Sequence, residues 1–289
     1  MEAPPITHLH RDEPAYSWEL IARPALPVLS PFVSRYDGYV QYAGGTLRHR
    51  QYPHPRVVLI VTLEDQLGVA TPGDDSAAPA KYTAFMAGLH ETRAITEFSR
   101  RSSGVQVNLT PLGAYRFRRM PMHSIANRVI GLEDLLGTQA RILVERLRAT
   151  QDWETRFQLM DAAILRRLVD GPAPTEAVGW AWSQIERSGG QANIAGLAHT
   201  LNWSPKRLIS AFREEVGLTP KTAARIVRFS GVMDRLPAEG TPCWAEVAAD
   251  AGYYDQAHFN REFAEFTGGT PSDYLRLRVN SEGGGVLDE

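Results

Sequence analysis

Positive charge in this sequence comes in short clusters. Lys206, Arg207 and Arg213 follow a turn signal, Lys221, Arg225 and Arg228 recur along the next helical stretch, and Arg261, Arg276 and Arg278 come later. Ammonium and guanidinium groups set this closely neutralise neighbouring phosphates, and a local patch does so without a basic domain around it. Placement matters here because overall charge gives no help. The formal net charge is -2, and over residues 178–278 eleven Lys plus Arg are balanced by eleven Asp plus Glu. An excess of positive charge is the usual footprint of a nucleic-acid binder. Any such binding must therefore rest on which face the charges occupy.

Other residues invite different chemistry. His49, His54 and His90 suggest a metal, but close paired-histidine spacing with an accompanying glutamate is missing, so structural or solvated histidines and no metal or cofactor are expected. Tyr36, Tyr39, Tyr42, Tyr82, Phe85 and Arg93 are candidates for a ligand pocket. Aromatic residues on strands are more often ordinary core, so no ligand-binding residue is assigned. Cys243 is the sole cysteine, which leaves no intrachain disulfide and no cysteine-rich zinc site. It lies near an expected helix start, where thiols are activated, yet nothing else marks a nucleophile. The chain is expected not to be an enzyme. A cysteine- or metal-dependent catalyst fused to a DNA-binding domain is the alternative.

The elements that carry these residues fall into two halves, as the length of 289 residues leads one to expect. Residues 18–22, 39–42, 57–63, 83–87 and 105–110 read as short strands punctuated by Gly38, Gly44, Gly45, Pro53, Pro55, Gly73, Pro79 and Gly104. Leu132, Leu135, Leu136, Leu143 and Leu147 then recur at helical spacing, as do Phe157, Met160, Ile164 and Leu168. The fold class is α+β: a β-rich, cupin-like barrel with helices over about 132–148 and 155–169, then an all-α domain. The expected organisation is a disordered arm (1–14), a regulatory or sensor domain (15–171), a linker (172–177), a DNA-binding domain (178–279) and a disordered tail (280–289). Asp170, Gly171, Pro172 and Pro174 mark the boundary, because proline cannot continue a helix that glycine terminates. No apolar run is long enough to span a bilayer. The first twenty residues, with Pro4, Pro5, Asp12, Glu13 and Pro14, lack a secretory signal, so a cytoplasmic location and no membrane partner are expected.

The all-α half contains a duplication. Ile194, Leu197, Ala198, Asn202, Ser204, Leu208, Phe212, Gly217, Thr219 and Pro220 are answered by Trp244, Val247, Ala248, Gly252, Asp255, Phe259, Phe263, Gly268, Thr270 and Pro271, with one extra residue in the second turn. Ala198 and Ala248 are small where helices cross, and Asn202 and Gly252 suit a left-handed backbone that stops the first helix. Ser204 and Asp255 cap the next helix, and Pro205 suits its first position. Leu208, Phe212 and Val216, and likewise Phe259, Phe263 and Phe266, form its buried face. Helix, tight turn and helix with a small crossing residue is the DNA-binding helix-turn-helix arrangement. Two such units are expected, over 193–217 and 241–268, joined by a helix over 220–236.

At this point the sequence resembles the AraC/XylS family of bacterial transcription regulators. The resemblance covers about residues 178–278 and is carried by Gly217, Leu218, Thr219 and Pro220, by the helix from Lys221 to Phe229, and by the run from Gly252 to Arg261. Residues 85–90, 108–113 and 132–137 are similar to a poorly characterised sensor-type N-domain found in many such regulators. The family resemblance implies two recognition helices in successive major-groove segments. It places Gln256, Ala257, His258, Asn260 and Arg261 of the second helix, and Lys206, Ile209 and Ser210 of the first, towards bases. Arg261 would read guanine and Gln256 or Asn260 adenine, each at roughly 1–3 kcal/mol of discrimination. Ser210 stands where the family often has arginine. The first helix is thereby weighted towards phosphate contacts from Lys206, Arg207 and Arg213, with Lys221 beside them. The expected function is sequence-specific DNA binding for transcription regulation, controlled by a ligand or partner acting on the N-terminal domain; an N-domain that only dimerises is a further alternative. Double-stranded DNA is the expected partner, with RNA polymerase and a small-molecule effector as further candidates. A homodimer formed through the N-terminal portion is expected, with a helix from 132–169 in its interface.

Overall fold

The computed structural model describes residues 4–12, 16–75, 78–237, 240–280 and 287–288. The N-terminal half is built on antiparallel strands β1 (Thr7–Asp12), β2 (Tyr16–Pro24), β3 (Val33–Gln51), β4 (Val57–Thr62), β5 (Leu67–Val69), β6 (Ala80–Tyr82), β7 (Ala84–Ala87), β8 (Ala94–Leu109) and β9 (Val129–Gly131). They hydrogen-bond in the order β1-β2-β3-β8-β4-β7-β9, while β5 pairs with both β6 and β8. β3 and β8 run alongside each other with a register shift between Tyr42 and Thr46, where Gly44 and Gly45 sit. A bulge of this kind bends a strand and steepens its twist, which lets the sheet curl. The alternation of β-structure then gives the curled sheet two different faces. Ile21, Tyr36, Leu59, Val61, Val105 and Val107 face the helices. Tyr16, Ile60, Leu67, Val69, Phe85 and Phe98 form a separate cluster on the other face. Since β1 and β9 end the order, the curl stays open along that seam among the described residues.

Two expectations for the termini change. Residues 7–12, expected within a disordered arm, form β1, which pairs with β2 from Thr7 opposite Ala22 to Asp12 opposite Ser17. Its polar side chains hide it from periodicity, because an edge strand is held chiefly by its neighbour's backbone. Leu287 and Asp288, expected in a disordered tail, pair with His49 and Arg48 as a short strand β10 (Leu287–Asp288). Residues 281–286 and 289 lie outside the described residues.

Helix α1 (Pro111–Arg118), capped by Thr110, was not among the expected elements. The single helix expected over 132–148 is two, α2 (Leu132–Leu136) and α3 (Thr138–Ala149). Gly137, at φ 56°, breaks it, a conformation other residues adopt only with strain. α4 (Trp153–Val169) begins two residues before the expected 155, because the Asp152 side chain accepts from the Thr155 N–H. Fully buried Arg23 fastens β2 to α4 by a 2.6 Å bond to Asp161, with its guanidinium 4.7 Å from the Tyr36 ring centroid. The apolar stripes of both helices, including Leu143, Leu147, Phe157, Met160, Ile164 and Leu168, are buried within the chain itself.

The second half consists of α5 (Glu176–Arg187), α6 (Ile194–Thr200), α7 (Pro205–Glu215), α8 (Pro220–Met233), α9 (Trp244–Asp250), α10 (Gln256–Thr267) and α11 (Pro271–Asn280). The expected linker is shortened at its end by α5. One continuous buried apolar cluster runs through both halves. A polar link joins them too, Arg56 bonding Glu186 at 2.7 Å, and the start of α5 is fixed where the buried Glu215 carboxylate accepts from the Thr175 backbone N–H at 2.8 Å. Tyr52 meets Tyr274 edge to face, with ring centroids 5.6 Å apart.

Candidate nucleic-acid interface

The duplication extends to individual backbone hydrogen bonds. The N–H of Trp203 donates to the Ala198 carbonyl at 2.9 Å, and that of Tyr253 to the Ala248 carbonyl at 2.9 Å. Asn202 donates to His199 and Gly252 to Ala249, both at 3.0 Å. Asn202 and Gly252 have φ of 53° and 75°, so each first helix stops in the left-handed conformation read from the sequence. Ser204 then caps α7 by accepting from the Arg207 N–H, and Asp255 caps α10 by accepting from the His258 N–H. Ala198 and Ala248 are buried at the crossings, beneath Leu208 and Phe212 in one unit and Phe259 and Phe263 in the other. Between the units, Phe229 of α8 packs on Phe263 and Phe266 at centroid separations of 5.6 and 4.9 Å. α6 with α7, and α9 with α10, are two helix-turn-helix units on one spine.

Polar contacts lock the second unit to that spine. Glu262, only 3% exposed, accepts from Arg225 at 2.7 Å and from the Tyr253 hydroxyl at 2.8 Å, with Arg228 at 3.9 Å. Arg225 also pairs with Glu265. Breaking a buried pair of this sort by removing one partner typically costs about 3–5 kcal/mol. Two arginines of the basic clusters are thus committed to structure. Lys206, Arg213, Lys221 and Arg261 have no ion pair among the described residues and are exposed. Lys221, Arg225, Arg228, His258 and Arg261 line a cleft of about 580 Å³ between the units.

Of the residues expected to face bases, Gln256, Ala257 and Arg261 are exposed on α10. His258 is half-buried with its ring 5.3 Å from that of Tyr253. Asn260 is half-buried and its side-chain oxygen is enclosed without a hydrogen-bond partner, so a paired contact to adenine requires its side chain to rotate. On α7, Lys206, Ile209 and Ser210 are exposed, while the Arg207 guanidinium stacks 4.3 Å from the Trp203 ring centroid. One residue at this surface was missed. Tyr254, 94% exposed, sits in the turn before α10 and is the extra residue of the second copy, the signal by which it could have been found.

A helix-turn-helix domain family matches residues 197–277, spanning both units, and a domain described only as of unknown function matches residues 22–131. The first match agrees with the doubled unit, its connecting helix and the signature residues in one register. Over residues 178–278 the chain resembles the AraC/XylS family. It is a DNA-binding transcription regulator. No curated protein sequence matches it. Among solved structures, the C-terminal domain of AraT, a response regulator from Geobacillus stearothermophilus, is 25% identical with a TM-score of 0.34, covering 37% of this chain and 89% of its own. ToxT from Vibrio cholerae is 9% identical with a TM-score of 0.45, covering 91% of this chain and 98% of its own. The AraC-like transcriptional activator CuxR is 12% identical with a TM-score of 0.29, covering 75% and 80%. These superpositions are too loose to carry anything about chemistry.

The protein has a second concavity, inside the curl of its β-sheet. The cavity, of about 500 Å³, is walled by Ile60, Leu67, Val69, Phe85 and Phe98, with His49, His54, His90, Tyr39, Gln41 and Gln106 among its polar groups. Of the aromatic residues considered for a pocket, only Tyr39 and Phe85 line it. Tyr36 belongs to the helix-side core, Tyr42 lies exposed under Arg101, and Tyr82 packs on Phe85. Arg93 pairs with Asp75. The three histidines are neither scattered nor solvated. Burial lowers His49 to about 4 and His54 to about 3, and lowers His90 as well. Among the described residues no group of three or more His, Cys, Asp or Glu is arranged to hold a metal ion. Cys243 is exposed at the position before α9 and makes no capping bond there.

Proposed function

We propose that this regulator reads a bipartite DNA site, α7 and α10 entering successive major-groove segments on one face of the duplex. The observation that carries the reading is the doubled unit, whose two second helices each follow a turn closed by the same backbone hydrogen bonds and present exposed cationic residues. On α10, Arg261 reads a guanine and Gln256 an adjacent base, with Ala257, His258 and Asn260 shaping the same surface. On α7, Lys206, Ile209 and Ser210 face bases, and Arg207, Arg213 and Lys221 hold phosphates. Binding-site selection with the full chain tests this. Wild type should enrich one sequence with two blocks; Arg261→Ala should relax one position by about 1–3 kcal/mol, whereas Arg213→Ala should weaken all sequences and lower the salt slope by about one. Recovery of no enriched sequence at moderate salt would sink the reading.

Control is exerted by a small molecule in the N-terminal cavity. Its size falls in the range of about 300–1,000 Å³ typical of small-molecule sites, and it combines apolar walls with a few convergent polar groups. The regulator acts in the cytoplasm as a homodimer joined through its N-terminal portion, with RNA polymerase as a further partner. What supports association is the balanced charge of the DNA-binding half, because linking two weak modules raises apparent affinity by about 10²–10⁴.

A further inference from the structure

The rings of His54 and His90 meet edge to face in the N-terminal cavity, centroids 6.1 Å apart, and both line it. Each has one nitrogen already committed to backbone. His54 Nδ1 accepts the Arg56 N–H at 3.2 Å, so a neutral His54 carries its proton on Nε2. His90 Nδ1 lies 2.6 Å from the Thr92 carbonyl oxygen, which only accepts, so His90 carries its proton on Nδ1 and has a bare Nε2. Two adjacent imidazoles therefore offer opposite functions, one a donor and the other an acceptor. Burial keeps both rings uncharged at neutral pH. A third imidazole in the same cavity, His49, is 9% exposed and its Nε2 is enclosed without a hydrogen-bond partner. An unpaired polar atom of this kind costs free energy that a ligand's hydrogen bond would recover.

Charge on the wall is already neutralised from within. Arg35 donates to Asp37 at 3.1 Å, Asn108 donates to the same carboxylate at 2.6 Å, and Gln106 donates to Asn108 at 2.9 Å. Arg128, the other cation lining the cavity, is exposed. A carboxylate on a ligand would meet only the solvent-screened Arg128 and an ammonium only the already paired Asp37, and buried charge without close compensation is heavily penalised. We propose that this cavity binds an uncharged ligand bearing a carboxamide or an equivalent adjacent acceptor and donor, the acceptor received by His54 Nε2–H and the donor by His90 Nε2. The proposal rests on the reading of the cavity as the effector site and adds the class of effector. The pair also stands beside the struts to the DNA-binding half: Arg56 reaches Glu186 of α5, and Arg93, next to Thr92, lies against Gly268 at the end of α10.

Thermal melting of the full chain with three probes of one shape, 2-naphthamide, 2-naphthoate and 2-(aminomethyl)naphthalene, tests the assignment. The amide should raise the melting temperature and the two charged probes should not. His54→Ala and His90→Ala should each weaken the amide's affinity about tenfold, the cost of one buried hydrogen bond. Should either variant fold poorly, long-range ¹⁵N–¹H correlation spectra of wild type at neutral pH give a second readout: His54 must appear as the Nε2–H form and His90 as the Nδ1–H form. A larger shift with naphthoate or the amine, an amide response that survives in folded His54→Ala, the opposite tautomers, or no response to any probe overturns the proposal. The effector reading itself fails separately, if a chemically broad library also leaves the melting temperature of wild type unchanged.

Discussion

His49 stands between Tyr16 and Phe98, with ring centroids 5.7 and 5.6 Å away, and burial alone lowers its pKa from 6.5 to about 4. For His54 burial is the largest cause, followed by the charges of His90, Arg56 and Arg35. A histidine held neutral in the folded state binds fewer protons than the unfolded chain wherever pH lies between the two pKa values. For His49 that window runs from about 4 to 6.5. Its contribution is fully present above 6.5 and is lost as pH falls through the window, at no more than about 1.4 kcal/mol per pH unit. The melting temperature should therefore drop between pH 7 and pH 5, and His49→Phe, which suits an aromatic neighbourhood, should flatten that slope. An unchanged slope in a folded variant would contradict the assignment of His49 as neutral core. The pairing was not legible in the sequence, where His49 and His54 lie close together but His90 is far along the chain, and the three carry no recognisable ligand spacing. Their convergence follows from the curl of the sheet, which depends on pairings far apart in the chain.

The helix-turn-helix elements were legible because their determinants are local. A left-handed residue, a capping oxygen and a buried face at three- and four-residue steps all fall within one short stretch, and occur twice. β1 and the break between α2 and α3 were not, since an edge strand needs no apolar alternation and a glycine within a helical pattern gives no sign of whether it terminates it. Gly268 shows how an element end is tied to the rest of the molecule. It closes α10 at φ 78°, and a Cβ placed there would run into the Arg93 guanidinium. Gly268→Ala adds left-handed strain and pushes the Arg93 end away from its Asp75 partner, so it should destabilise the protein by about 1 kcal/mol. Denaturant unfolding measures it. Gly268→Ala, Arg93→Ala should recover the part due to the collision and leave the part due to backbone strain; full stability in the single variant would show that Arg93 and α10 do not meet this way.

At the scale of the whole molecule, the two halves were separable in sequence but their union was not, because Arg56 and Glu186, or Tyr52 and Tyr274, signal nothing until the fold brings them together. The same holds for the expected dimer. Leu143, a natural interface candidate by its helical spacing, is buried at the floor of a groove between α3 and α4 whose more open apolar residues include Leu136, Ile142 and Leu159. Ile142 is 41% exposed, so Ile142→Asp should leave the fold intact and shift sedimentation towards monomer at micromolar concentration. A dimeric Ile142→Asp protein would place the interface elsewhere. The central claim concerns the two recognition helices acting together, and hydroxyl-radical footprinting of the full chain on its selected duplex tests it most directly. Two protected tracts on one face, about 34 Å apart, one helical turn, are the predicted result. A single short tract at moderate salt, unchanged when Lys206 and Arg213 are replaced by alanine, would contradict it.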